Sequence, residues 1–418
     1  MTKVIEIPTK GNDDELGVSL DELAREGARR MLIQALEEEV GDYIARHQER
    51  DEIGRARVVR NGRAKPRKVT LGSGTIEVRA PRVNDRRVDK HCVRQRFTSK
   101  ILPPYMRRSP RLNDALPVLY LRGLSTGDFE EAIPALLGAD AAGFSASTIS
   151  RLTTVWQEER AGWCKRSLSG KEYVYVWADG VYFGVRLGED KQLACLVLVG
   201  VLPDGTKEVI ALRDGYREST DSWLSLLRDL KRRGMPAPSL AIGDGALGFW
   251  AALRQVYPGT KEQRCWVHKI ANVLDKLPKR VQPRAKDMLH EIMYAPNQQS
   301  ALEDIQRFEQ EFQAKYPKAV ECLLKDQDEL LTFFDFPAEH WIHLRTTNPI
   351  ESAFSTVKAR TKRTKGAGSR QAGLAMAFKL LLGAQKRWRK ITAPHLVALV
   401  QAGVKFLDGQ RQLSLKVA

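Results

Sequence analysis

The stretch EYVYVWADGVYFGV, residues 172–185, places an acidic residue directly behind an apolar run. The run is short, rich in β-branched and aromatic residues and closed by a glycine, so it predicts a buried strand over 173–178 that ends beside Asp179. Residues 181–187 and 193–201 predict two more strands, and the three together predict an antiparallel meander. A carboxylate at the end of a buried strand is either an ordinary turn residue or part of a site.

A second aspartate, Asp244, repeats this arrangement further along the chain. A helix is predicted over 220–231, then a strand over 240–242 that ends at Asp244, a helix to about residue 256 and a fifth strand over 262–265. This order, three strands, a helix, a strand, a helix and a strand, is that of a ribonuclease-H-like sheet. If the strands of Asp179 and Asp244 pair, both carboxylates remain ionised only around a positive charge. Carboxylate oxygens suit Mg²⁺ or Mn²⁺.

The third acidic candidate, Glu351, lies in TTNPIESAFSTVKARTKRTKG, residues 346–366. With Asn348 as the N-cap and Pro349 at the first helical position, Glu351 falls where a capping box places its acidic residue, so a capping role is one interpretation. Helical spacing instead puts Glu351 on one face with Ser355, Lys358 and Lys362, away from an apolar stripe. A carboxylate that leads a basic face favours a metal site beside a DNA strand.

Charge favours a polyanionic partner, with nucleic acid as the first candidate. The formal net charge is +17 and the pI about 9.7. Residues 51–110 hold 17 Lys and Arg against 5 Asp and Glu, interleaved with β-forming and turn residues. They predict a small β-containing DNA-binding module, with a turn at 60–63 and a strand at 75–78, while a solvated basic surface is the alternative. The candidate phosphate contacts here are Arg60, Arg63, Lys65, Arg67 and Lys68.

A helix-turn-helix-like pattern follows in GFSASTISRLTTVWQEE, residues 143–159. Gly143 would end one helix, and Ser145 or Ser147 would cap the next. Ser147 and Arg151 are then candidate DNA contacts, because recognition helices often begin with short polar residues. An ordinary pair of packed helices has the same pattern.

The chain is therefore expected to hold six segments. They are an N-terminal helical segment (1–50, with a capping box at Ser19 and Glu22), the basic module (51–110), the helix-turn-helix-like region (111–165), the first part of the α/β core (171–269), an all-helical insertion (270–340), and the completion of the core with C-terminal helices (341–418).

Nothing in the sequence predicts a membrane protein. The longest apolar run, LACLVLVGVL at 193–202, is far shorter than the ~20 residues that a spanning helix needs. The N-terminus shows no apolar signal region, and five scattered cysteines fit reduced thiols. We expect a cytoplasmic protein.

Several blocks resemble the bacterial insertion-sequence transposases of the Mutator type, within the DDE transposase superfamily. WADGVYFGVR (177–186) resembles the block of the first aspartate, and GDGALGFWAAL (243–253) with QRCWVHKIANV (263–273) that of the second. Residues 346–366 resemble the glutamate block, and RNGRAKPRKVTLGSGTIEVRAPR (60–82) the N-terminal DNA-binding region. The resemblance covers most of the chain.

The resemblance implies a metal-dependent DNA transposase that binds terminal inverted repeats, cleaves DNA strands and transfers them. It implies a catalytic and metal-binding triad of Asp179, Asp244 and Glu351 that binds two Mg²⁺ or Mn²⁺ ions. The fold would be an α/β catalytic core of ribonuclease-H-like type, a mixed five-stranded sheet with helices, interrupted by an all-helical insertion and preceded by N-terminal helical/β DNA-binding modules. The partners would be double-stranded DNA, as element ends and target, and further copies of the chain in a homodimer or higher oligomer. Its place would be the bacterial nucleoid.

Residues around the triad are expected to support it. Arg264, Cys265 and His268 would lie near the active site, as would Asn348. A zinc site made by Cys265 and His268 with His340 and His343 is the alternative.

Further basic residues of the glutamate block would follow DNA phosphates, or form a solvated helix face. They are Lys358, Arg360, Lys362, Arg363 and Lys365. Trp266 and Trp341 are expected to be core residues, with stacking on an unpaired base as the alternative.

Two other functions fit parts of the sequence. A non-catalytic DNA-binding regulator needs the basic regions and not the carboxylates. Another ribonuclease-H-like nuclease needs the carboxylates and no module for specific DNA ends. A G-x-x-x-x-G-K-[ST] loop is missing from the sequence, which fits a strand exchange that needs no ATP.

Overall fold

The computed structural model describes residues 19–124, 128–141, 146–186, 192–245, 247–363 and 366–412. The chain divides into two compact units, Met1–Ser150 and Arg151–Ala418. The segment boundaries given above remain predictions.

The first unit combines one long helix with two antiparallel strand pairs. Helix α1 (Leu20–Arg46) begins with the predicted capping box, in which Ser19 and Glu22 exchange side-chain and backbone hydrogen bonds. Strand β1 (Val58–Arg63) pairs with β4 (Pro81–Asp85), and β2 (Arg67–Leu71) pairs with β3 (Gly74–Val78). A small core joins α1 to β2 and β3; its buried residues are Leu36, Val69, Ile76, Val78 and Leu102.

The predicted turn at 60–63 lies inside β1. The pairing of β1 with β4 changes register between Arg60 and Arg63, and Gly62 has a φ of +61°. The predicted strand at 75–78 is confirmed as part of β3.

Three helices follow, α2 (Pro110–Arg122), α3 (Asp128–Leu137) and α4 (Ala146–Cys164). Gly143 and Ser145, in the predicted turn before α4, lie outside the described residues, and so does the side chain of Ser147. The helix-turn-helix geometry therefore stays a prediction.

The second unit is built on a mixed five-stranded sheet with the order β7-β6-β5-β8-β9. Strands β5 (Tyr175–Gly184), β6 (Gln192–Val201) and β7 (Lys207–Asp214) form the antiparallel part. Strand β8 (Leu240–Gly243) runs parallel to β5, and β9 (Lys261–Arg264) runs parallel to β8. This architecture is compatible with a ribonuclease-H-like core.

The expected strand boundaries were wrong around Asp179. The two strands predicted at 173–178 and 181–187 are one strand, β5, whose residues pair with β6 without interruption from Tyr175 to Gly184. Gly180 stays in this ladder opposite Leu196, so the glycine does not end the strand. The third strand of the meander is β7, which the sequence did not suggest. The two errors compensate, and the expected order of strands and helices is the one observed.

Helices cover both faces of the sheet. Side chains alternate along a strand, so Val176 and Ala178 of β5 point to one face, where they pack with α5 (Thr220–Arg232) and α6 (Leu247–Val256). Trp177 points to the other face, where its indole Nε1 donates to the carbonyl of His343 at 3.2 Å. Helix α13 (Asn348–Arg363) contacts β5, and α14 (Arg370–Gln385) contacts β6 and β7.

Between β9 and α13, residues 266–344, all of which the structure describes, form helices joined by turns and short loops. The helices are α7 (Trp266–Leu274), α8 (Gln282–Tyr294), α9 (Gln298–Phe312), α10 (Pro317–Leu324), α11 (Gln327–Leu331) and α12 (Trp341–Leu344), with 3₁₀ turns at Thr332–Asp335 and Ala338–His340.

The core prediction for two tryptophans is confirmed. Trp266 and Trp341 are buried, and their indoles donate to the carbonyls of Leu330 and Phe336.

The chain continues with α15 (His395–Gln401) and the short pair β10 (Phe406–Leu407) and β11 (Gln410–Arg411). Within the described ranges, none of the helices combines the length and apolar character that crossing a bilayer requires.

Candidate active site

The strand register brings Asp179 and Asp244 together. The last parallel pair between β5 and β8 is Ala178 with Gly243, so each aspartate comes one residue after the same pair. Strand β8 ends there, while β5 continues with β6 on its other side. The expectation that Asp179 lies at the end of its strand was therefore wrong. Asp179 lies within β5, at the level where the parallel neighbour β8 ends.

One guanidinium lies between the two carboxylates. Nη1 of Arg217 is 3.1 Å from Oδ2 of Asp244 and 3.8 Å from Oδ1 of Asp179. Both aspartates are buried, with 8% and 6% of their surface exposed. Burial, and next the neighbouring charge of Asp244, raise the pKa of Asp179 to about 6, while Arg217 and His268 oppose this shift. The pair thus concentrates negative charge in a poorly hydrated place and attracts a cation.

Backbone and side-chain contacts hold this arrangement. The amide of Gly180 donates to Oδ1 of Asp179 at 2.7 Å, and Trp250 Nε1 donates to the carbonyl of Asp244 at 2.9 Å. Trp223, in α5, donates from Nε1 to the carbonyl of Arg217 at 2.8 Å. Arg217 was not among the site residues expected from the sequence; its signal there was an arginine two residues before the helix cap Ser219.

Glu351 is held at the start of α13. The helix begins at Asn348, so Thr347 and not Asn348 is the residue that precedes it. The amide of Glu351 donates to the carbonyl of Thr347 at 3.0 Å, and the Thr347 hydroxyl donates to Oε1 of Glu351. The capping prediction for Asn348 was wrong by one residue, because either of two adjacent polar residues fits the pattern. Asn348 instead donates its backbone amide to Oγ1 of Thr346 at 3.4 Å.

A cysteine and a histidine complete the surroundings of Glu351. Sγ of Cys265 lies 3.3 Å from both the amide nitrogen and the hydroxyl of Thr347. Nδ1 of His268 lies 3.5 Å from that hydroxyl and 3.9 Å from Oε1 of Glu351. Among the described residues, Cys265, His268 and Glu351 form the group whose potential ligand atoms all lie within 4.8 Å of one another. Cys265 and His268 therefore lie beside Glu351, and their role in supporting an active site stays a prediction.

Charge links this group to the aspartates. The hydrogen bond with Cys265 raises the pKa of His268 to about 9, against the effect of burial, and Glu351 and Asp244 add to the rise. Burial favours the neutral thiol of Cys265, but contacts with His268 and Thr347 outweigh it and lower the pKa of the thiol. An imidazolium at His268 stands within electrostatic range of all three carboxylates.

The zinc alternative does not find its four ligands together. His340 bonds through Nδ1 to the Tyr175 hydroxyl at 2.8 Å and through Nε2 to the carbonyl of Ala393 at 3.3 Å. His343 bonds to Thr392 at 2.9 Å. Neither histidine belongs to the group that contains Cys265 and His268.

Arg264 pairs in the ladder between β9 and β8 with Gly243, the residue before Asp244. Its Nε is 3.1 Å from Oδ2 of Asp326, and its guanidinium lies against Gly245. A Cβ on Gly245 would be only 1.8 Å from Nη2 of Arg264, so the glycine after Asp244 provides room for this side chain.

The predicted DNA contacts of the first unit are mostly engaged within the chain. Arg60 and Arg63 pair with Glu37, and Lys68 pairs with Asp140 at 3.3 Å. Arg67 donates to the carbonyls of Pro103 and Leu102, at 3.1 and 3.3 Å. Lys65 is exposed. Phosphate contact stays a prediction for all five.

On α13 the expected faces are observed. Ile350, Ala353, Phe354 and Val357 are buried, while Lys358, Lys362 and Arg363 are exposed. Arg360 is only 3% exposed because it falls on the buried side, so the expectation that it follows phosphates with the others was wrong. Lys365 lies outside the described residues. Arg151, in α4, is exposed.

Comparison with known proteins decides the family. A family model described as "Transposase, Mutator family" matches residues 2–390. The chain belongs to the Mutator family of transposases. The resemblance noted in the sequence is thereby confirmed.

Relatives of this Mutator-family chain are transposases of bacterial insertion sequences. The transposase for insertion sequence element IS6120 of Mycolicibacterium smegmatis is 58% identical over 299 residues, 72% of this chain and 92% of that relative. The transposase for IST2 of Acidithiobacillus ferrooxidans is 50% identical over 288 residues, 67% of this chain and 95% of that relative. The transposase for IS256 in transposon Tn4001 of Staphylococcus aureus is 28% identical over 349 residues, 82% of this chain and 85% of that relative.

Proposed function

We propose that this chain is a DNA transposase that binds the terminal inverted repeats of an insertion sequence and catalyses metal-dependent strand cleavage and strand transfer. The observation that carries the proposal is the convergence of Asp179 and Asp244 on one cationic nitrogen at the edge of the parallel strands. Family membership supplies the substrate class, DNA. The core would be of ribonuclease-H-like type, residues 270–340 would be an all-helical insertion, and the first unit would provide modules for DNA binding.

The side chains present fit a divalent cation of the Mg²⁺ or Mn²⁺ type. Asp179, Asp244 and Glu351 offer carboxylate oxygens, which these hard cations prefer. The guanidinium of Arg217 already lies where positive charge is favoured between the aspartates. Asp179, Asp244 and Glu351 would hold the ions, and bound ions would supply activation of the attacking oxygen and charge stabilisation at the leaving oxygen of a phosphodiester.

The reaction proposed for this site is two displacements at phosphorus. In the first, water attacks a phosphodiester at the element end, one P–O bond forms as another breaks, and a 3′-hydroxyl is released. In the second, that hydroxyl attacks a phosphodiester of the target. Each displacement conserves the number of P–O bonds, so no nucleoside triphosphate is consumed.

Cys265, His268 and Thr347 would act as positioning residues for Glu351. Their contacts restrict the glutamate side chain at the first turn of α13. An imidazolium at His268 would also offset part of the negative charge of Glu351 and Asp244.

The exposed cations of α13 would guide the DNA. Lys358 and Lys362 continue the helix face that begins with Glu351, so a strand whose backbone follows them would pass the acidic site. Both element ends must be held during transfer, so a dimer is the smallest assembly that the proposal allows. The place of action would be nucleoid DNA in the bacterial cytoplasm.

The test is a strand-transfer assay with the full chain, labelled element ends and Mg²⁺ or Mn²⁺. Asp179→Asn, Asp244→Asn and Glu351→Gln should each abolish joining while end binding persists. Glu208→Gln changes a carboxylate of β7 that pairs with Lys171 and serves as the matched control. Joining retained by any triad variant would refute the assignment.

The same assay separates the rival functions. A non-catalytic DNA-binding regulator predicts that all three carboxylates can be neutralised without consequence. A different ribonuclease-H-like nuclease predicts metal-dependent cleavage without preference for element ends and without joined products.

A further inference from the structure

We propose that Arg217 is the resident counter-ion of the Asp179–Asp244 pair, and that a divalent cation must displace its guanidinium to bind there. The inference rests on the proposed function, because it concerns the same metal site. It assigns to a residue outside the acidic triad the control of metal affinity in the DNA-free protein.

The distances define the competition. A single nitrogen of Arg217, Nη1, approaches one oxygen of each aspartate, at 3.1 and 3.8 Å. A cation that bridged the same two side chains would have to lie in the same space. Because two positive groups cannot occupy it together, binding of the ion and seating of the guanidinium oppose each other.

The aliphatic part of the Arg217 side chain packs directly against Gly180, which has no side chain to keep it away. A Cβ placed there would lie 3.0, 3.1 and 3.2 Å from Cβ, Cγ and Cδ of Arg217. The indole of Trp223 fixes the carbonyl of the same residue at 2.8 Å. The root of the side chain is therefore anchored close to β5, which restricts movement to its outer end.

The carboxylate of Glu218 lies close enough to pair with the displaced guanidinium. Oε1 of Glu218 lies 3.3 Å from Nε of Arg217, and Oε2 of Glu218 accepts a hydrogen bond from the Tyr182 hydroxyl at 2.6 Å. The Arg217 side chain is 32% exposed, so its outer end can turn toward solvent and Glu218. Displacement therefore leaves no buried, unpaired charge.

Arg217 itself keeps its charge over the ordinary pH range, because arginine does not lose its proton in proteins. Removing the charge should therefore show directly as metal affinity. Couplings between two ligands of one protein typically amount to about 5–150-fold, and we expect Arg217→Gln to bind Mn²⁺ about tenfold more tightly than the wild type.

The experiment is a calorimetric titration of the full-length protein with Mn²⁺ in the absence of DNA. Arg217→Gln should bind about tenfold more tightly, and Arg217→Lys, which keeps a positive charge, should stay near the wild type. Arg370→Gln is the matched control, since Arg370 has a similar exposed fraction, 33%, and pairs with a different carboxylate, Asp214. It should bind Mn²⁺ as the wild type does.

A second readout uses thermal unfolding. Without metal, Arg217→Gln should have a lower Tm than the wild type, since the aspartates lose their counter-ion, and Mn²⁺ should raise its Tm by more. If Arg217→Gln folds poorly, Arg217→Met keeps the aliphatic stem that packs on Gly180 and carries the same prediction.

The outcomes distinguish this inference from the proposed function. Unchanged or weaker Mn²⁺ binding by folded Arg217→Gln, with wild-type binding that Asp244→Asn abolishes, overturns the counter-ion role and leaves the metal site standing. Binding that survives Asp244→Asn overturns the proposed metal site. Absence of binding in both the wild type and Arg217→Gln overturns both proposals.

Discussion

The two halves of the candidate site are built by different means. The aspartate half (Asp179, Asp244 and Arg217) takes its geometry from paired strands, in which the backbone ladder sets the level of each carboxylate. The glutamate half (Glu351, Thr347, Cys265 and His268) takes its geometry from side-chain contacts at the start of a helix. A hydrogen-bond ladder tolerates changes of side chain, whereas a network of single side chains does not. The difference predicts opposite responses to mutation.

The largest expected effect is a gain of stability in the aspartate half. Asp179 has its pKa raised from 3.8 to about 6, chiefly by burial. A carboxyl with a raised pKa stabilises the fold in its protonated form, so this contribution is complete below pH 3.8 and is lost as the pH rises through about 6. Asp179→Asn stays neutral at every pH, so its free energy of unfolding relative to that of the wild type should increase as the pH rises. We expect this difference between the two proteins to be about 3 kcal/mol larger at pH 7 than at pH 3.5.

Denaturant unfolding of metal-free protein across this pH range measures the difference. Asp214→Asn removes a carboxylate of β7 that pairs with Arg370 and corrects for the general effect of losing a negative charge. A gap between Asp179→Asn and the wild type that does not change with pH would contradict the prediction.

The next effect concerns the glutamate half. Thr347→Val keeps the branched shape but removes the hydroxyl that contacts Cys265, His268 and Glu351. Loss of such a supporting contact commonly lowers activity by about 10–100-fold, and we expect strand transfer to fall in that range while end binding persists. Thr347→Ser keeps the hydroxyl and should remain close to the wild type. Full activity of Thr347→Val would show that the network does not position Glu351.

The smallest effect distinguishes the charges that serve the two halves. Lys362 is exposed on α13. Its replacement by Gln should reduce the steepness with which log K for DNA binding falls with log salt by about 1, with a modest loss of affinity. Lys171→Gln, which changes a lysine paired with Glu208, should leave the slope unchanged. Equal slopes for Lys362→Gln and the wild type would remove Lys362 from the DNA path.

The sequence predicted most of what depends on local pattern. The capping box of α1 and the buried and exposed faces of α13 agree with the structure, because side-chain spacing along a helix decides both. The acidic edge of the sheet was also foreseen, since Asp179 and Asp244 follow similar apolar runs.

Features that depend on pairing between distant segments were missed. Gly180 resembles a strand end in isolation, and only its partner Leu196 in β6 shows that β5 continues. Strand β7 begins with charged residues at the edge of the sheet, which hides its apolar part. Arg217 is far from both aspartates in sequence and meets them only after α5 and the sheet have packed.

The central position of β5 has a mechanical consequence. Asp179 belongs to β5, which pairs with β6 along its whole length on one side. On its other side, β5 pairs with β8 as far as Ala178. Shifting this carboxylate would require breaking many backbone hydrogen bonds at once, so its position is fixed. Any adjustment that fits a nucleic acid to the site must come from the helices around it, or from bending of the nucleic acid itself.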